Sequence, residues 1–90
     1  MRSAKIEILS DLTNAVVIRH PDRRFPGVLL QGDTLHAMCV SADEVCAVAR
    51  GSIDDDTYAE LNELRNSLRS MLTHYKVVLG EHNVQLPFSE

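Results

Sequence analysis

The chain has 90 residues, 44% of them hydrophobic, and its 13 acidic against 9 basic side chains give a net charge of −4. That length supports one core and buries roughly 60 to 65% of the unfolded surface, so a single domain over 1–90 is expected. The negative charge repels phosphate and argues against duplex nucleic acid or an anionic membrane as partner, and the longest apolar run, Val45 to Ala49, is far shorter than the roughly 20 residues of a membrane span.

The start, Met1, Arg2, Ser3, Ala4, Lys5, has no signal-peptide pattern. Lys5, Ile6, Glu7, Ile8 then alternates polar and apolar, as a strand with one wet face does. Ser10, Asp11, Thr13 and Asn14 supply turn chemistry before the β-branched run Ala15, Val16, Val17, Ile18, so the two strands are expected to form a hairpin. Pro21 and Asp22 end the second strand, and Arg23 and Arg24 fall in the loop that follows. Pro26 and Gly27 bend the chain into a third strand at 28–31, and Gly32 with Asp33 makes the change from strand to helix, with Asp33 or Thr34 available as cap.

The first helix carries Leu35, Met38, Cys39, Ala42, Val45, Cys46 and Ala49 on one face and stops at Arg50 and Gly51. Cys39 and Cys46 stand about 10 Å apart along the axis of such a helix, which no disulfide spans, and so fit a reducing cytoplasm. A short link of Gly51, Ser52 and Ile53 makes the next helix antiparallel to the first. Its stripe recurs at Leu61, Leu64, Leu68, Met71, Tyr75 and Val78 and widens at Leu72 and Leu79, which predicts a second neighbour for its C-terminal half. Gly80 or Asn83 is compatible with the stop, and the apolar tail Val84 to Phe88 is expected to dock on the core. The expected fold is α+β: a three-stranded antiparallel sheet at about 4–9, 14–19 and 28–31, then an antiparallel helical hairpin at about 34–50 and 54–82 packed on one face.

Candidate chemistry is thin. Asp54, Asp55 and Asp56 lack the ligand spacing of a calcium loop and are explained by the positive pole of the helix they open. His36, Cys39 and Cys46 share a helix, yet a structural zinc site takes four ligands with paired short spacings. The same cysteines, mid-helix on an apolar face, have the environment of inert thiols, and Asp33 with His36 has no nucleophile marked beside it. Gly27 and Gly32 lack the lysine and hydroxyl of a phosphate loop. No catalytic residue, metal or cofactor is therefore assigned, and the chain is not read as an enzyme. Two surfaces remain as partner-binding candidates: an acidic patch of Asp54, Asp55, Asp56, Glu60 and Glu63, and a basic loop of Arg19, Arg23 and Arg24.

The run Arg24, Phe25, Pro26, Gly27, Val28, Leu29, Leu30, Gln31, Gly32, Asp33, Thr34, Leu35, after an Asn14–Val17 strand and before two helices with a His74–Tyr75 pair, resembles a family of small bacterial proteins of unknown function. The resemblance implies a bacterial origin and a compact stand-alone domain, and carries no activity or site residue with it. By analogy of size and charge, the function expected is a protein-binding module that neutralises a toxin, as an immunity protein does. The alternative is a small regulatory or structural homodimer.

Overall fold

The computed structural model describes residues 1–89. Its order is β1 Glu7–Ser10, β2 Val16–Arg19, β3 Gly27–Leu29, α1 Gly32–Ala49 and α2 Asp55–Glu81. The chain is thus a three-stranded antiparallel sheet followed by two helices that pack against each other, an α+β fold. It divides into two units, Met1–Gln31 and a second from Gly32 onward.

In the first unit the sheet order is β1-β2-β3, and both pairings are antiparallel. The turns are closed by the short polar residues that predicted them. Ser10 Oγ accepts from the Leu12 amide at 3.5 Å, and Thr13 Oγ1 accepts from the Ala15 amide at 3.2 Å. In the next turn the Arg23 amide donates to the His20 carbonyl at 3.1 Å, and His20 Nδ1 accepts from the Asp22 amide at 3.0 Å. Strand β1 starts later than the alternation suggests. Glu7 pairs with Arg19, the last residue of β2, so Lys5 and Ile6 have no residue of β2 to pair with. The register also slips: Ile8 faces Ile18 but Ser10 faces Val17, which leaves Leu9 as an extra residue, a β-bulge. The bulge interrupts the clean wet and dry alternation, and both Ile8 and Leu9 are exposed.

In the second unit three contacts fix the direction of the helices. Gly32 meets Tyr75, Asp43 meets Arg69 and Arg65, and the Cys46 thiol lies 4.0 Å from the Leu61 carbonyl. Position on α2 falls as position on α1 rises, so the pair is antiparallel, as the short link requires. Asp54 is the N-cap of α2: its carboxylate accepts from the Thr57 amide at 3.3 Å and from the Thr57 hydroxyl at 3.0 Å. Gly51 takes a positive φ of 79° just beyond α1. At the far end of α2 the stop is Asn83, with φ 56°, not Gly80. The Val84 amide reaches back to the Leu79 carbonyl at 2.9 Å and the Asn83 amide to Gly80 at 3.3 Å, which is a Schellman motif. Helix α1 begins two residues before the expected 34. Asp33 lies inside its first turn, where its carboxylate accepts from the Thr34 amide at 2.9 Å.

Cys39, Cys46 and Leu72 are the buried apolar side chains, and both cysteines are free thiols. Two expectations change here. Leu72, read as the flank of the α2 stripe, is its fully buried centre, while Leu64 and Met71 on the expected centre line are 60% and 53% exposed. On α1 the face is likewise narrower than its apolar pattern, since Met38 and Val45 are exposed. In this rotation of α2 Leu72 faces α1, and Arg65 and Arg69 reach Asp43 on the neighbouring helix.

Candidate functional site

The acidic patch is built from the helix start. At 100° per residue, Asp56, Glu60 and Glu63 fall within about 60° of one another and form one ridge, whereas Asp55 stands about 100° round from Asp56. All four are exposed. Asp54 has a different task, because both of its hydrogen bonds go to Thr57, and those bonds hold its carboxyl below the usual value. The five acids predicted as one surface therefore divide into a cap, Asp54, and an outward ridge, with Asp55 to its side. Three carboxylates spaced like this attract a cation-rich surface, and Asp56, in the first turn, also complements the positive pole of the helix.

The basic loop belongs to the first unit, and its arginines have local neighbours. Arg19 stands opposite Glu7 in the β1–β2 register, an arrangement that favours opposite charges. Arg24 lies over the exposed ring of Phe25, with its guanidinium carbon 5.2 Å from the ring centroid. Arg23 is exposed in the turn closed on His20. Arg2, which the sequence reading left out, pairs with Asp22 at 2.8 Å between two exposed side chains. The loop is a mixed-charge surface around an exposed aromatic ring, less purely cationic than its sequence suggests.

The two sides of the helical hairpin differ in character. Counting from Leu72 on α2, Arg65, Arg69 and Lys76 stand about 20 to 60° to one side, and Leu64, Met71 and Val78 about 80 to 120° to the other. Counting from Cys39 on α1, Asp43 and His36 stand about 40 to 60° to one side, and Met38, Ala42 and Val45 about 60 to 120° to the other. Asp43 meets Arg65 and Arg69, so their sides coincide, and the two apolar rows must share the opposite side. On the polar side the Arg69 hydrogen bond, helped by the charges of Arg69 and Arg65, holds the Asp43 carboxyl below its ordinary value against a smaller opposing cost of desolvation. Arg65 also donates to Asn62, and His36 stacks on Phe88 with ring centroids 4.1 Å apart and planes 7° from parallel. Phe88 thus ties the tail to α1 through the half-buried His36, to the side of the Cys39 and Cys46 core on which the tail is expected to dock. The Asp43 cluster was missed in the sequence. Local spacing does not mark it, because which residues face one another across two helices is set by how the helices pack.

No helix among the described residues is long and apolar enough to cross a membrane. The fold and these surfaces define a small α+β chain in which charged and apolar surfaces are separated on a helical hairpin. The chain belongs to DUF6959, a family of unknown function, whose model matches residues 1–88. No curated protein and no solved structure matches it.

Proposed function

We propose that this chain is a non-catalytic protein-binding module acting in the cytoplasm, and most concretely an immunity-type protein that neutralises a basic bacterial toxin by covering its surface. The observation that carries the reading is the ridge of Asp56, Glu60 and Glu63 at the exposed start of α2, in a chain of net charge −4. Such a ridge accelerates encounter with a positively charged partner and asks no chemistry of the binder. Two buried cysteines on one helix, too far apart to bridge each other, fit a reducing compartment. Small size and negative charge support the toxin as partner.

The test begins with partner capture by the purified chain in its own host extract, followed by co-expression of the captured protein with and without the chain. The expected result is a basic protein that arrests growth alone and not when co-expressed. In the pure complex, Asp56→Lys combined with Glu60→Lys is expected to slow association about tenfold or more and to flatten its dependence on salt. A captured protein without toxicity removes the immunity reading. Unchanged association rates remove the acidic ridge as its contact surface.

A further inference from the structure

We draw no further inference here: the strongest candidate, the apolar surface patch on the helical hairpin around the exposed Met38 and Val45 of α1 and Leu64 and Met71 of α2, carries nothing because nothing in the structure shows what covers it.

Discussion

The ring of Tyr75 fills the space that any side chain at position 32 would need: a β-carbon built on Gly32 runs into the far edge of the ring. Gly32 has no positive φ, so glycine is required here by space and not by backbone conformation. Gly32→Ala is therefore expected to destabilise by about 1 to 3 kcal/mol, the ordinary range for overpacking. In a Tyr75→Leu background the same change should cost close to nothing, because the obstacle is gone and alanine is the better helix former. Urea denaturation of the four-member cycle measures the coupling. Equal costs in both backgrounds would remove the steric explanation.

Leu72 is the buried centre of α2, and Leu72→Ala should cost about 2 to 5 kcal/mol. Val77→Ala, on the outward side of the same helix, should cost roughly 0.5 kcal/mol or less. The contrast is read from denaturation midpoints at constant slope. Similar costs would show that α2 is not rotated as described.

Acid should weaken the hairpin through two carboxylates. Asp43 is held below the ordinary value of 3.8 by the Arg69 hydrogen bond and the arginine charges, and Asp54 by its hydrogen bonds to Thr57. A depressed folded-state value means that the ionised group favours the folded chain. Its contribution is complete above the unfolded value, near 3.8, and fades as pH falls through the lower folded value. Stability should thus decline below about pH 4, and Asp43→Asn and Asp54→Ala should each reduce the acid-dependent part of that decline. Denaturation midpoints measured against pH for wild type and both variants check this, and parallel curves would count against it.

The tail is tied to α1 by the stack of Phe88 on His36. Phe88→Ala should raise hydrogen exchange and protease cleavage in residues 84–88, while amides in the middle of α1 and α2 keep their protection. Uniform loss of protection would instead make the tail part of the cooperative core.

Much of this architecture is legible in the residues. Turn-forming side chains at Ser10, Thr13 and His20 mark the strand ends because each satisfies a local backbone group within two residues. The rotation of α2 is less legible, since Leu61, Leu64, Leu68, Met71, Leu72, Tyr75, Val78 and Leu79 make an apolar arc wide enough to be centred in more than one way. The observed centre goes with contacts between distant residues, Asp43 with Arg65 and Arg69 and Gly32 with Tyr75, which local spacing does not encode. The acidic surface shows the same limit. Sequence groups the five acids, but only capping geometry separates Asp54 from the ridge of Asp56, Glu60 and Glu63.

The extra residue at Leu9 has a consequence for how this molecule keeps to itself. Strand β1 is one border of the sheet, and a bulge there bends its outer row of amides and carbonyls out of the flat line that an incoming strand must match. The other border, β3, has three residues and begins directly after Pro26, which has no amide to offer. Both margins are thus poor templates for backbone pairing. Fibre growth from the sheet is disfavoured despite its exposed Ile8, Leu9 and Val28.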